Sequence, residues 1–216
     1  MRALFGEPSG PLGWVGARLL VRLAAPYYLD LAAELALQRD DELLDVGCGS
    51  ATLLAEHARH VRYVAGLDAS EIQLGMARRR LADRLAAGSA QIVLGEAGRL
   101  PWRDGRFSVV TSLNTLKIVP DPAGALREMH RVLPPGGRAV VTLSDSKPSD
   151  GRATTESGTA DGWSQWQWSD ADARRLLETA GFTDVAVSVL PGGFQLVRGV
   201  KPGALPTREQ PRSAAD

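Results

Sequence analysis

From residue 42 onward, short apolar runs alternate with longer segments of helical spacing, and this alternation narrows the choice of folds more than any other feature. The strand candidates are Glu42–Val46, Tyr63–Asp68, Gln91–Leu94, Phe107–Ser112 and Arg138–Leu143, with Thr183–Leu190 and Phe194–Val200 late in the chain. The runs VVTSL and AVVTL are continuously apolar or hydroxylic rather than alternating, as expected of strands covered on both faces. Between them, Ser50–His60, Ser70–Leu85, Pro122–Leu133 and Asp170–Ala180 have helical spacing. Ser70 is a good N-cap residue, and Pro134, Pro135, Gly136 and Gly137 form a strong terminator. The rhythm predicts an α/β sandwich with a mostly parallel sheet.

Composition sets the outer limits. The chain has 216 residues, enough for one domain with appendages. Its 25 basic and 25 acidic side chains cancel, so no basic excess exists to cover a nucleic acid. The single cysteine, Cys48, excludes an intramolecular disulfide. Arg18, Arg22, Pro26, Asp30 and Glu34 interrupt the apolar stretch from Ala17 to Leu37, which therefore does not read as a membrane span. A cytoplasmic location is expected, with no integral membrane segment. Residues 1–40 read as a helical cap broken near Pro26, residues 41–201 as the main domain and residues 202–216 as a disordered tail. Within the domain, residues 144–162 hold nothing aliphatic larger than alanine and no aromatic, so a mobile loop is expected.

The sequence LLDVGCGSATLL carries the chemistry. A strand ends at Asp45–Val46, a turn containing Gly47 and Gly49 follows, and a helix begins with free N–H groups. Asp68 closes the second strand, 19 positions after Gly49, at the spacing where a carboxylate accepts from a ribose. An adenosine-containing cofactor is the natural reading. The dinucleotide fingerprint is broken, because Thr52 stands at its third glycine. Asp45 would also repel a pyrophosphate, whereas it suits an ammonium group. Electrostatics thus favours S-adenosylmethionine over NAD.

With these motifs in view, the chain resembles the class I S-adenosylmethionine-dependent methyltransferases, of the small-molecule kind related to quinone-biosynthesis enzymes. DVGCGSAT resembles the family's first motif and VAGLDAS its second. VLGEAGRLPWRDGRFSVV resembles the third and fourth together, and RVLPPGGRAVV the fifth. WSDADARRLLETAGFTDVAV followed by GGFQLVRGVKP is similar to the closing helix and strand pair. The resemblance implies a Rossmann-like three-layer sandwich whose seven-stranded sheet is mostly parallel, with its last strand antiparallel. It places Asp45, Gly47, Cys48 and Gly49 beside the methionine part of the cofactor. It places Asp68 on both ribose hydroxyls with Ala69 beside it, Gln73, Glu96 and Ala97 around the adenine, and Ser112 and Leu113 near the sulfonium. The sequence departs from the family at Ala51 (a third glycine), Glu96 (an aspartate), Ser108 (an aspartate) and Lys117–Ile118 (a histidine pair). The last departure puts a histidine base in doubt.

Other residues carry open readings. Lys117 suits an acceptor carboxylate or a desolvated base, and equally a solvated helix lysine. Asn114 suits an acceptor contact or a turn. Tyr27 and Tyr28 are candidates to close over the methyl group, Tyr28 also as a catalytic group, or to pack a helix on the sheet. Trp163 and Trp166 are candidates for an acceptor pocket, with Trp168 the better anchor for the loop's end. Cys48 is expected to pack rather than attack, and His57 and His60 to be solvated, with no metal site. His130 reads as structural.

These readings point to methyl transfer onto O, N or C of a small organic acceptor by direct displacement, yielding S-adenosylhomocysteine. Such chemistry needs in-line placement and desolvation more than an acid–base pair. The competing readings are a non-methylating cyclase or rearrangement enzyme using the same cofactor, an NAD-dependent oxidoreductase, and a non-catalytic binding protein. A homodimer is left open.

Overall fold

The computed structural model describes residues 31, 34–144, 155–158, 164–190 and 194–203. Its first strand shows how the layers arise. Strand β1 (Glu42–Val46) sends Leu44 and Val46 to one face and Leu43 to the other, and all three are buried. Strand periodicity alone requires this split. Helices on both sides then cover the two faces.

Chain order gives β1, helix α1 (Thr52–His57), a 3-10 turn Ala58–His60, and β2 (Tyr63–Asp68). Helices α2 (Glu71–Arg80) and α3 (Ala82–Ala86) lead to β3 (Ala90–Leu94) and β4 (Val109–Ser112). Helix α4 (Pro122–Val132) precedes β5 (Arg138–Ser144). A pair of short strands follows, β6 (Thr155–Gly158) and β7 (Ser164–Gln167), then α5 (Asp170–Thr179), β8 (Thr183–Val189) and β9 (Gln195–Val200). The main sheet has seven strands in the order β3-β2-β1-β4-β5-β9-β8. Its pairings are parallel from β3 through β5, and β9 runs antiparallel to both neighbours. The sheet is the one expected, with the last strand reversed.

One face carries α4 and α5. Asp121 caps α4 by accepting from the Gly124 N–H at 2.8 Å, and Pro122 occupies its first turn. Its buried Ala125, Leu126, Met129 and Val132 form a single stripe. Ser169 caps α5, which buries Ala173 and Leu177. The other face carries α1 and α2 together with Leu31 and Leu35, both buried and helical.

Several boundaries differ from the sequence expectation, each for a local reason. The fourth strand begins at Val109 rather than Phe107, because the Phe107 N–H bonds to the Val132 carbonyl at the end of α4. The helix expected over Ser70–Leu85 breaks at Leu81 (φ −105°, ψ 18°). Arg84 of α3 then donates to the carbonyls of Ala58, Val61 and Arg62, which holds the second segment at a new angle. Helix α1 is shorter than Ser50–His60, since Ala51 is left-handed (φ 58°) and the last residues tighten into the 3-10 turn. Inside the expected loop of residues 144–162, Thr155–Gly158 pairs with Ser164–Gln167 as an antiparallel ladder. Backbone pairing needs no apolar side chain, so composition did not reveal it.

The amino ends of the strands are closed by charge. Asp41 is buried and receives Arg138 Nη2 at 2.6 Å, Ser108 Oγ at 2.6 Å and the Gln38 N–H at 2.7 Å. Arg138 also donates to the carbonyls of Leu35 and Ala36, tying the preceding helix to the sheet. Ser108, where the family has an aspartate, thus serves as a bridge, since its hydroxyl also accepts from the Glu42 N–H at 2.9 Å.

Candidate cofactor site

The opposite, carboxyl end of the sheet is built around the turn after β1. Gly47 (φ 77°) and Gly49 (φ 52°) are both left-handed, the conformation glycine adopts without strain. A Cβ on Gly47 would collide with the Thr115 hydroxyl, so glycine is required there on steric grounds as well. The N–H groups of Gly47 and Cys48 both donate to the Leu67 carbonyl, at 2.7 and 3.0 Å. The Gly49 N–H donates to Asp68 Oδ2 at 2.8 Å. The turn is therefore fastened to the end of β2.

A row of hydroxyls fastens it from β4. Thr111 Oγ1 lies 2.8 Å from Asp45 Oδ1 and 3.2 Å from the Leu44 carbonyl. Ser112 Oγ donates to the Val46 carbonyl at 2.9 Å, and Thr115 Oγ1 to that of Gly47 at 3.4 Å. Thr111 and Thr115 were not singled out in the sequence. For Thr111 the available signal was a hydroxyl residue inside an otherwise buried strand, where it must find a partner; Thr115, beyond the strand, gave no such signal. Arg80 adds a third tether, donating to the Ser50 carbonyl and hydroxyl and to Thr52 Oγ1.

Two carboxylates face this turn, and neither has an ion-pair partner among the described residues. Burial pushes Asp45 up to about 7, with Thr111 opposing and the charge of Asp68 adding to the rise. Burial also raises Asp68, against the N–H groups of Ser70, Gly49 and Ala69. Asp68 Oδ1 accepts from Ser70 and Oδ2 from Gly49, and the carboxylate keeps acceptor capacity beyond its backbone donors. Cys48 is buried, its thiol is raised well above the usual value, and its Sγ fills the space a Cβ on Gly66 would need. That is packing chemistry, not nucleophile chemistry.

The remaining candidates fall into place unevenly. Gln73, in the first turn of α2, turns its amide toward Gly49, and its Oε1 is buried without a hydrogen-bond partner. The Gly95 N–H donates to the Asp68 carbonyl, which brings the segment of Glu96 and buried Ala97 beside β2. Glu96 itself is exposed, and Ala69 is exposed next to Asp68. Leu113 is buried, and Asn114 (φ 59°) sits in a left-handed turn with its N–H on Thr142 Oγ1 at 2.7 Å. The turn role of Asn114 is thereby directly visible. Lys117 is half-buried just beyond it. Trp168 is buried against α5, and Trp166 lies in β7 with its backbone opposite Glu156. Tyr27, Tyr28 and Trp163 lie outside the described residues.

One expectation is overturned. His57 is buried, not solvated, because it lies on the face of α1 that also buries Leu53 and Leu54. His60 is exposed as expected, and His130 stacks edge-on against Phe182 at 5.0 Å. Among the described residues no group of three or more His, Cys, Asp or Glu side chains could hold a metal. No helix there is long and apolar enough to cross a membrane.

Among the described residues the site thus offers left-handed glycines, two carboxylates without a cation, and a buried amide oxygen without a donor. S-adenosylmethionine fits that donor set, having an ammonium, a sulfonium and ribose hydroxyls and no phosphate.

Comparison with known proteins gives the same answer. Residues 44–141 match a family described as a methyltransferase domain. Over 116 residues the chain is 40% identical to a demethylmenaquinone methyltransferase of Staphylococcus epidermidis, covering 52% of this chain and 46% of that protein. The chain thus spans about half the length of that relative. A demethylmenaquinone methyltransferase of Staphylococcus saprophyticus is 31% identical over 185 residues, covering 74% of this chain and 78% of that one. Among solved structures, the (4+2)-cyclase SpnF superposes with a TM-score of 0.69 at 19% identity, covering 84% of this chain and 82% of that one. That last likeness speaks for the fold alone. Fold, motif order and relatives together make the chain a member of the class I S-adenosylmethionine-dependent methyltransferase family.

Proposed function

We propose that this chain binds S-adenosylmethionine at the β1–α1 turn and transfers its methyl group to an O, N or C atom of a small organic acceptor. The observation that carries the reading is the pair Asp45, buried, and Asp68, half-buried, both raised by burial and with no cation beside them among the described residues. Leaving such charge unanswered is costly unless a cationic ligand supplies the missing partner. In this reading Asp45 faces the ammonium, Gly47 and Gly49 let the backbone approach the methionine portion, and Asp68 accepts from the ribose. Bound there, the cofactor supplies an electrophilic methyl group. The chain's own contribution is placement and exclusion of water, and no general base is required of it.

The acceptor side is the less defined. The relatives' printed substrate class, demethylmenaquinone, supports an apolar ring-containing acceptor, and the tryptophans at 163 and 166 are suited to walling one. Lys117 and Asn114 stand beyond the end of β4, on the path from cofactor to acceptor. The proposed location is cytoplasmic.

Calorimetric titration with S-adenosylmethionine, S-adenosylhomocysteine and NADH tests the reading. Micromolar binding of both sulfur compounds and none of NADH is the expected result. NADH binding alone would replace the reading with an oxidoreductase. With cofactor binding secured, accumulation of S-adenosylhomocysteine in the presence of quinol-type acceptors separates methyl transfer from a cyclase that keeps its cofactor intact.

A further inference from the structure

A glutamine lies wholly inside the core at the carboxyl end of the sheet. Gln195 opens β9 and is fully buried. Because β9 runs antiparallel to β5, its first residue stands at the end of the sheet that carries the Gly47–Gly49 turn and Asn114. There it pairs with Ser144 of β5 and Val189 of β8, beside a register shift between Thr142 and Ser144. Its amide forms a clamp. Nε2 donates to the Trp168 carbonyl at 3.3 Å and to Asp170 Oδ1 at 2.8 Å. Both partners are acceptors, so the nitrogen must face them, and Oε1 is left buried without a donor.

Trp168 and Asp170 bracket Ser169, whose hydroxyl accepts from the Asp172 N–H at 3.1 Å and caps α5. The clamp therefore grips the joint between β7, which ends at Gln167, and the helix that follows. Trp168 is itself buried in the core with Leu177 and Val197, whereas β7 before it pairs with β6 and lies beside β5. Asn114 flanks β5 from the other side, its N–H on Thr142 Oγ1. An apolar residue of the same length would fill the space of Gln195 without burying a carbonyl that lacks a donor, so packing alone does not account for the glutamine. What the amide adds is direction: two hydrogen bonds fix the height and rotation at which β7 enters the core.

Resting on the methyl-transfer reading above, we infer that Gln195 is a positioning residue for the acceptor: it fixes the joint that carries β7 and thereby sets one wall of the acceptor site beside the end of β5. No ligand touches Gln195, which acts through the backbone of Trp168 and the first residue of α5. The acceptor concerned is the apolar, ring-containing one proposed above.

Wild type, Gln195→Met, Asp170→Ala and Asp170→Asn are assayed with S-adenosylmethionine and a short-chain 2-prenyl-1,4-naphthoquinol as acceptor. Gln195→Met keeps the side-chain length and loses both bonds. It is expected to raise KM for the naphthoquinol by about five- to tenfold with kcat and S-adenosylhomocysteine affinity unchanged, the pattern of lost acceptor binding. Hydrogen exchange of the β6 and β7 amides in the S-adenosylhomocysteine complex should quicken, while that of β1 and β2 stays as in wild type. Asp170→Ala removes one of the two acceptors and should show the same pattern more weakly, so it carries the test where Gln195→Met does not fold. Asp170→Asn keeps an acceptor for the amide and should behave as wild type. An unchanged naphthoquinol KM in Gln195→Met and Asp170→Ala would overturn the role of Gln195, whatever the exchange rates. So would a loss of S-adenosylhomocysteine affinity equal to the loss for the acceptor, the mark of a merely structural residue. A wild type that binds S-adenosylhomocysteine but leaves the naphthoquinol unmethylated would overturn the acceptor reading and this inference with it, and one that binds no cofactor would overturn the cofactor site as well.

Discussion

Asp41 and Asp45 are four residues apart at the two ends of β1, both are buried, and their carboxyl groups are shifted in opposite directions. At Asp41 burial pulls the value up, but Arg138, Ser108 and the Gln38 N–H outweigh it and hold the carboxyl below its usual range. At Asp45 burial dominates, Thr111 is the one side-chain donor among the described residues, and the charge of Asp68 adds to the rise, so the group is pushed up to about 7. One end of the strand is finished within the protein. The other is left unfinished, as binding sites are, since a group already satisfied has nothing to offer a ligand.

The comparison can be broken at either end. The largest effect is expected at the finished end: Arg138→Met strands a buried carboxylate and should cost about 3 kcal/mol of stability. Chemical denaturation would show it, with S-adenosylhomocysteine affinity unchanged because the ligand end lies a strand length away. A large loss of affinity without loss of stability would reverse the assignment of the two ends.

At the unfinished end the signs invert. Asp45→Asn should weaken S-adenosylhomocysteine binding by about ten- to a hundredfold, the worth of a charge-assisted bond. The same change should raise the melting temperature of the ligand-free protein at pH 8. The physical reason is linkage. A carboxyl whose folded value is about 7 and unfolded value about 4 binds more protons when folded, so stability falls as pH rises between those values. Asp41, being depressed, contributes in the opposite sense: its stabilisation is present above the unfolded value and is lost as pH falls through the folded one. A melting temperature lowered by Asp45→Asn at pH 8 would mean that Asp45 is a structural residue.

The same titration sharpens the ligand side. An ammonium needs Asp45 ionised, so affinity for S-adenosylhomocysteine should fall as pH drops through about 7, approaching tenfold per unit below it. Thr111→Val removes the one hydroxyl that favours the ionised form and should move that midpoint upward. Thr111→Ser should leave it in place. A midpoint unchanged in both Asp45→Asn and Thr111→Val would show that another group governs the pH dependence.

The smallest effect concerns Ala51, which is left-handed where the family has glycine. Ala51→Gly relieves about 1 kcal/mol of backbone strain and removes one buried methyl group of similar worth, so denaturation should register about 0.5 kcal/mol or less.

The order of strands and helices, the glycine turn and the Asp68 spacing were legible because each is a local pattern of chain chemistry. Gly47 and Gly49 announce a left-handed turn wherever they occur after a buried strand, and the apolar runs announce a covered sheet. Less local facts were hidden. His57 follows Leu53 and Leu54 at helical spacing, but only the packing of α1 on the sheet shows that this face is covered as far as His57. The Thr155–Gly158 ladder depends on backbone pairing that composition does not encode.

The sequence by itself therefore determined the fold and the family, since periodicity and turn residues act within a few positions of one another. Tertiary structure decided which polar groups are answered. Ser108 meets Asp41 across 67 residues, Thr111 meets Asp45 across 66, and the Gly49 N–H meets Asp68 across 19. Whether a buried charge is a bolt or a binding site depends on what folding brings beside it: a guanidinium with two further donors outweighs desolvation at Asp41, and a single hydroxyl does not at Asp45.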